Sequence, residues 1–293
     1  MSTRTVRLVL PAVAFAALAV LPFATAQQRR PQPPPSVRLY ILDCGNITGV
    51  GETQFGFKQG LLATTEMTTP CYLIAHPRGT LMWDTGEIPD SAFKGDGSSA
   101  KQGPFAATKP LLPQLAALGY TPADITYLAL SHYHGDHTAN ANAFAASTWI
   151  VQEVERKTMF APQDGKAKGP NAPNLAYFGA LEKSKTTLLK GEDHDVFGDG
   201  TVVLKFTPGH TPGHQSLYLK LAKSGNILLS GDLYHYPEEL TLKVVPSSDL
   251  DAAQTAKSRA AIEDFVKKNN AQLWIQHDVA AGAKLKKAPQ YYD

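Results

Sequence analysis

The run Ser131-His132-Tyr133-His134-Gly135-Asp136-His137 constrains this chain more than any other feature, because positions 132–137 hold three imidazoles and one carboxylate. It follows directly on the apolar run Ile125 to Leu130, which reads as a buried strand opening into a loop. Neutral imidazole and carboxylate are donors for first-row metals, and zinc sites that do chemistry use three protein ligands and leave a position open. One run of this kind holds ligands for two ions but cannot close both, so further donors are expected at other strand ends. They are present. Thr207-Pro208-Gly209-His210-Thr211-Pro212-Gly213-His214 follows the apolar run Val202 to Phe206, Ser230-Gly231-Asp232 follows Ile227 to Leu229, and His277 follows Leu273 to Ile275.

The ordered set His-x-His-x-Asp-His, Gly-His, Gly-Asp and a late His resembles the signature of the metallo-β-lactamase superfamily, with every ligand position filled. Within it, four segments resemble the secreted branch of the N-acyl-homoserine lactonase family. They are Thr80-Leu81-Met82-Trp83-Asp84-Thr85-Gly86, Leu130-Ser131-His132, Phe197-Gly198-Asp199-Gly200 and Ser230-Gly231-Asp232-Leu233-Tyr234. The likeness runs from about Val37 to the C-terminus. It implies an α/β fold of the αββα sandwich type, two mixed β-sheets face to face with helices outside.

The first residues read as a targeting segment: Arg4 and Arg7 form a positive region, Leu8 to Val20 an apolar one, and Ala24-Thr25-Ala26 a small-residue cleavage site. The apolar stretch is short for a membrane span of roughly 20 residues and lacks a stop-transfer flank. Residues 1–26 are therefore expected to be a cleaved signal peptide, giving a periplasmic or secreted protein with no stable membrane insertion afterwards. Gln27 to Ser36, rich in Pro, reads as an extended linker, and 37–293 as one hydrolase domain. The chain has 28 Lys and Arg against 26 Asp and Glu; without Arg4 and Arg7 the two signs balance. A neutral surface argues against nucleic acid as a partner and leaves a small molecule. Oligomeric state is left open, a dimer included. Cys44 and Cys71, at the end of one expected strand and the start of the next, could pair in an oxidising compartment or serve as small buried hydrophobes.

Strands are expected over Val37 to Asp43, Cys71 to Ala75, Thr80 to Trp83, Thr148 to Val151, Val202 to Phe206, Ser216 to Leu221, Ile227 to Leu229 and Leu273 to Ile275. Helices are expected over Leu111 to Leu118, Asn140 to Ala146, Glu153 to Phe160 and Ala252 to Asn269, the last with Ala253, Ala256, Ala260, Ile262, Phe265 and Val266 on an apolar face. The stretches Gly45 to Thr69, Pro89 to Thr108 and Ala161 to Asn174 read as loops, the third a solvated loop or lid. Phe55, Phe57, Leu61, Leu62 and Met67 either line an apolar pocket wall or simply pack their own loop. His76 and His194 read as turn or surface residues.

Carried over position by position, the resemblance puts His132, His134 and His210 on one metal, Asp136, His137 and His277 on the other, and Asp232 between both. The metals would be two zinc ions, other divalent first-row ions being open. A bridging water becomes hydroxide near neutral pH between two cations and is the nucleophile, so no protein nucleophile is needed. Asp136 and Asp232 thus belong to the catalytic set as well as the ligand set. The resemblance gives Asp84 a supporting role behind a ligating His, although a turn residue would also suit that place. Tyr234 is a candidate to hydrogen-bond the substrate carbonyl, but the family's Tyr lies three residues after the bridging Asp, where this chain has His235. His214 reads as structural. The implied reaction is ring opening of N-acyl-homoserine lactones. The alternatives are β-lactam hydrolysis, or hydrolysis of a thioester or another lactone. Asp232 weighs toward the lactonase, since secreted β-lactamases with this His motif generally lack it.

Overall fold

In the computed structural model, residues 1–3, 5, 31–95, 98–161 and 172–293 are described. The expected cleavage site and nearly all of the targeting segment lie outside those residues, as does most of the stretch Ala161 to Asn174. The described part of the Pro-rich segment runs without regular structure against the domain, where Pro31 packs on Gly119.

Cys71–His76 and Gly79–Trp83 form an antiparallel hairpin about Pro77-Arg78, with Tyr72 opposite Trp83 and Ile74 opposite Leu81. Both strands read as nearly continuous apolar runs because both faces of their sheet are covered. Strand side chains alternate. Leu73, Ala75, Met82, Leu128 and Trp149 therefore face one way, toward Leu111, Leu115, Phe144 and Phe178 of the outer helices. Tyr72, Ile74, Leu81, Trp83 and Ile150 face the other, against Leu204, Leu217, Leu219, Ile227 and Leu229 of a second sheet. The outer face of that sheet, with Tyr218 and Leu228, is covered by Ile262, Phe265 and Val266. The layers are helix, sheet, sheet, helix, as the resemblance implied. Each large side chain so buried contributes about 1.5–3 kcal/mol.

The first sheet has six strands, in the order Arg38–Leu42, Cys71–His76, Gly79–Trp83, Tyr127–Ala129, Thr148–Gln152 and Thr186–Leu189. The second has five: His194–Asp195, Val202–Phe206, Gln215–Leu221, Gly225–Leu229 and Ala271–Trp274. Topology gathers the segments that carry the expected donors at one edge of the sandwich. Gly79–Trp83 runs parallel to Tyr127–Ala129, and Gly225–Leu229 parallel to Ala271–Trp274, so the segments leaving these strands emerge side by side. The connection between Val202–Phe206 and Gln215–Leu221 turns at the same edge, and Gln215 N–H donates to the Ser131 carbonyl at 2.8 Å, stitching the two sheets together there.

Two regions read as loops contain a third sheet of four very short strands, ordered Met67–Thr68, Asn46–Ile47, Phe105–Ala107 and Ala100–Gln102. Strands of two or three residues have no period to read. Cys44 and Cys71 are joined in a disulfide beside the register pair Leu42 and Cys71. The long helix is Ala252–Lys268, and here the expected face is only partly right. Ile262, Phe265 and Val266 pack inward, but Ala253, Ala256 and Ala260 are exposed, and Thr255, Ser258 and Arg259 are buried instead. The reason is polar: Ser258 donates to the Pro208 carbonyl, Thr255 to Asp249 and Arg259 to the Leu233 carbonyl. No helix among the described residues is long and apolar enough to cross a membrane.

Candidate metal centre and active site

Each of the seven predicted donors lies at this edge, and they fall into two quartets: His132, His134, His210 and Asp232, and Asp136, His137, Asp232 and His277. Within each quartet one donor atom per residue lies within 4.8 Å of all the others. His132 and His134 leave the strand Tyr127–Ala129 in a loop, and a short helical turn, Gly135–Thr138, then aims Asp136 and His137 at the second quartet. Asp232 belongs to both. Its Oδ2 lies 3.6 Å from His132 Nε2 and 3.4 Å from His210 Nε2, while its Oδ1 lies 3.0 Å from both His137 Nε2 and His277 Nε2. A single carboxylate thus divides its two oxygens between two sets of imidazoles.

The donor set fits cations. His132 Nε2 and His137 Nε2 are buried without a hydrogen-bond partner, which is costly unless something else satisfies them. Burial, with His210 beside it, pushes His134 down to about 3, and burial takes His132 well below the usual imidazole range, so both rings are neutral donors. Burial alone would raise the Asp232 carboxyl, but His137, His277 and His132 outweigh it and hold the group well below the usual carboxylate range. These three groups are deprotonated already, as a metal needs, whereas burial of His137 is outweighed by Asp232, Asp136 and Asp84, which hold it well above the usual imidazole range, so that ring would give up a proton to a bound cation.

Around the donors is a ring of orienting hydrogen bonds. His137 Nδ1–H donates to Asp84 Oδ2 at 2.9 Å, His210 Nδ1–H to Asp249 Oδ1 at 2.8 Å, and His277 Nδ1–H to the Thr68 carbonyl at 2.7 Å. Such partners set the tautomer and turn the other nitrogen toward the metal. Asp84 follows Trp83 with φ of 55°, the left-handed region that Asp and Asn tolerate, and its Oδ1 also accepts Ser131 N–H at 2.7 Å. His214 completes the frame: Nδ1 faces the Thr207 carbonyl at 3.0 Å, and Nε2 accepts the Asp232 backbone N–H at 2.9 Å, so its role is structural, as read. Gly231, at φ 55°, has no room for a side chain, since an added Cβ would lie 2.7 Å from His214 Nε2 and 2.9 Å from Ser131 Cβ.

Several contributors carry no sequence signal of their own. Gln276 donates to Asp84 Oδ2 at 3.0 Å while its Oε1 accepts from Trp83 Nε1 at 2.9 Å and from Gly231 N–H at 3.0 Å; only its place beside His277 could have pointed to it. Asp249 lies in a loop without a motif. His76 is buried rather than on the surface, stacked 3.9 Å from the Phe197 ring with Nε2 3.0 Å from Asp199 Oδ2, away from the metal centre. His194 is half-buried in its two-residue strand.

A cavity of about 220 Å³ opens over the centre, with His134, Asp136, His210, Asp232, His235 and His277 on its polar side. Ile47, Val50, Phe55, Met67 and Phe105 form its apolar side. Of the expected wall residues Phe55 and Met67 are there; Phe57 is buried behind them against Tyr236, Leu62 packs alongside, and Leu61 is exposed. Tyr234 does not reach the cavity. Its hydroxyl donates to Glu263 at 2.8 Å and its ring lies 4.4 Å under the Arg259 guanidinium. Tyr234 is extended, φ −141° and ψ 137°, so the next side chain points the opposite way, and His235 takes the place in the cavity. Its Nε2 is 3.3 Å from Asp232 Oδ2, its Nδ1 is 3.4 Å from Glu239 Oε1, and Glu239 pairs with buried Arg259. Burial would lower His235, but Glu239 and Asp232 outweigh it and raise it to about 10.

Residues 64–277 match the metallo-beta-lactamase superfamily. The chain belongs to this superfamily. Among curated relatives it is similar to the N-acyl homoserine lactonase AttM of Rhizobium radiobacter, 32% identical over 263 residues that cover 87% of this chain and 98% of that one. It is also similar to the N-acyl homoserine lactonase AiiA of Bacillus thuringiensis subsp. kurstaki, 30% identical over 231 residues covering 75% and 85%. Among solved structures, an N-acyl homoserine lactone hydrolase with the product N-hexanoyl-L-homoserine at its catalytic metal centre superposes with a TM-score of 0.69 at 25% identity, covering 87% of this chain and 99% of that one. The superfamily member's sandwich agrees with the one expected from the motifs.

Proposed function

We propose that this superfamily member is a dinuclear zinc hydrolase that opens the ring of N-acyl homoserine lactones, the activity for which the relatives AttM and AiiA are named. The observation that carries the reading is Asp232, whose two oxygens serve two different sets of imidazoles. His132, His134 and His210 would hold one ion, Asp136, His137 and His277 the other, and Asp232 both. Bound there, zinc supplies Lewis acidity for the ester carbonyl and a water acidic enough to be a nucleophile at neutral pH.

The chain's own groups do the rest. Asp136 is the most exposed carboxylate of the centre, with 15% of its side chain open, and would take a proton from the attacking water and pass it to the leaving ring oxygen as the C–O bond breaks. His235 presents Nε2–H to the substrate carbonyl as charge develops on it, with Glu239 holding the ring from the other side. Ile47, Phe55, Met67 and Phe105 receive the acyl chain and exclude water. Export with cleavage after Ala26 belongs to the same proposal, and the Cys44–Cys71 disulfide supports an oxidising compartment.

The test is metal-loaded mature protein offered a homoserine lactone series beside a chromogenic cephalosporin. Ring opening of the lactones and about two metals per chain by elemental analysis are expected, with one metal loosened and lactone turnover lower by orders of magnitude in Asp232→Ala. Cephalosporin turnover without lactone turnover would refute the substrate assignment, and a fully active protein with one metal would refute the dinuclear one.

A further inference from the structure

Glu155 lies in the helix Glu153–Met159, on the outer layer, and its side chain is buried at 2% exposure. Its Oε1 accepts Tyr133 N–H at 3.0 Å and the Thr211 hydroxyl at 2.9 Å, and its Oε2 accepts Gly213 N–H at 2.7 Å. The sequence places those donors meaningfully. Tyr133 stands between His132 and His134, Thr211 adjoins His210, and Gly213 adjoins His214, which in turn holds the Asp232 amide. One carboxylate from a third element therefore joins the two loops that supply all three imidazoles of the His132 quartet.

The approach is close. A Cβ on Gly213 would lie 2.4 Å from Glu155 Cβ and 2.8 Å from its backbone N, so the loop of His210 can sit this near the helix only with glycine there. Burial pushes the Glu155 carboxyl up to about 7 against the pull of its three donors, so the group is held at a cost that a neutral or apolar side chain would avoid. A carboxylate offers lone pairs for all three donors at once. A glutamine cannot: its NH2 would face either Gly213 N–H or Tyr133 N–H, donor against donor, and only the Thr211 hydroxyl could turn round to accept from it.

We propose that Glu155 is a positioning residue which sets the gap between the His132–His134 loop and the His210 loop, and thereby the metal affinity of that quartet alone. The second quartet shares Asp232 with the first, but its own imidazoles, His137 and His277, take their orientation from Asp84 and Thr68, and Glu155 donates to or accepts from none of its members. The proposal rests on the reading of the two quartets as metal places.

The experiment isolates each place by removing a ligand of the other, His277→Ala leaving the His132 quartet and His210→Ala leaving the second, and titrates metal-free protein with zinc calorimetrically. In the His277→Ala background, Glu155→Ala is expected to weaken binding about 10-fold, the low end of the range for losing a ligand's own partner, since Glu155 holds the residues beside the ligands, and Glu155→Gln by a smaller factor. In the His210→Ala background both are expected to leave binding within about twofold, while amide hydrogen exchange at Tyr133 and Gly213 in metal-free protein speeds up when Glu155 is Ala. Equal weakening in both backgrounds would reduce Glu155 to a general structural group and overturn the proposal, as would no weakening in either. If Glu155→Ala does not fold, Glu155→Gln decides by the same comparison. A parent protein that takes up no zinc would refute the reading of the centre, and this proposal with it; a parent that binds two, matched by Glu155→Ala, refutes this proposal alone.

Discussion

Asp84→Asn should separate the metal centre's support from its ligands. The substitution keeps the shape of the side chain, and Asn tolerates the left-handed backbone at φ 55° as well as Asp does, so the main chain has no reason to move. What changes is acceptor count. Asp84 is 1% exposed, and its two oxygens take three donors: Ser131 N–H at 2.7 Å, His137 Nδ1–H at 2.9 Å and Gln276 Nε2–H at 3.0 Å. An amide has one oxygen, so at best it serves His137 and Gln276 while its NH2 confronts Ser131 N–H. One buried donor is then orphaned, at about 1–3 kcal/mol of stability in the metal-free protein. His137 also loses the charge that steadies it, and loss of such a partner weakens metal binding about 10–100-fold, or about 1.4–2.7 kcal/mol. Chelator competition with elemental analysis at each step would show one metal leaving earlier than in the parent, and thermal melting of metal-free protein would show the lost stability. Unchanged release of both metals, with an unchanged melt, would refute the role given to Asp84.

His235→Phe should lower lactone turnover about 100-fold while both metals stay bound, because it removes a hydrogen-bond donor from the cavity and no ligand; Tyr234→Phe should leave turnover unchanged and lower stability by about 1 kcal/mol, the worth of its bond to Glu263. The reverse pattern in steady-state kinetics would return the role to Tyr234. Burial, with Asp136 nearby, raises the Glu87 carboxyl from 4.5 to about 8. Its folded form therefore keeps a proton that the unfolded chain releases above about pH 4.5, so its contribution to stability is full below that pH and is lost as pH rises through about 8. Glu87→Gln should flatten that decline in denaturant melts of metal-free protein, and parallel curves for the two proteins would contradict the assignment. Replacing both Cys44 and Cys71 by Ser should cost about 3–4 kcal/mol, from the entropy of a loop whose ends are 27 residues apart; mass analysis finding two free thiols in exported protein would contradict the disulfide.

The donor cluster was legible in the chain alone. Seven donors of the right type appear in order, each after a run whose apolar pattern marks a strand, and because strand ends gather at one sheet edge their convergence could be expected from the chain alone. The layered fold was legible for the same reason: strands such as Cys71–His76, buried on both faces, demand a partner sheet on one side and helices on the other. What remained hidden lay in contacts between residues distant in sequence and of types common everywhere. Gln276 meets Asp84 across 192 positions, Asp249 meets His210 across 39, and Glu155 meets Gly213 across 58, none within a motif. Short strands such as Asn46–Ile47 form because neighbouring chains supply hydrogen-bond partners, not because their residues alternate. The helix Ala252–Lys268 turned Thr255, Ser258 and Arg259 inward because the carbonyls and carboxylates awaiting them are fixed by other elements. The choice between Tyr234 and His235 shows the division most plainly. Both stood near the right distance from Asp232, and the path of the backbone, extended through Tyr234, settled which side chain turned toward the Asp232 carboxylate and which toward Glu263.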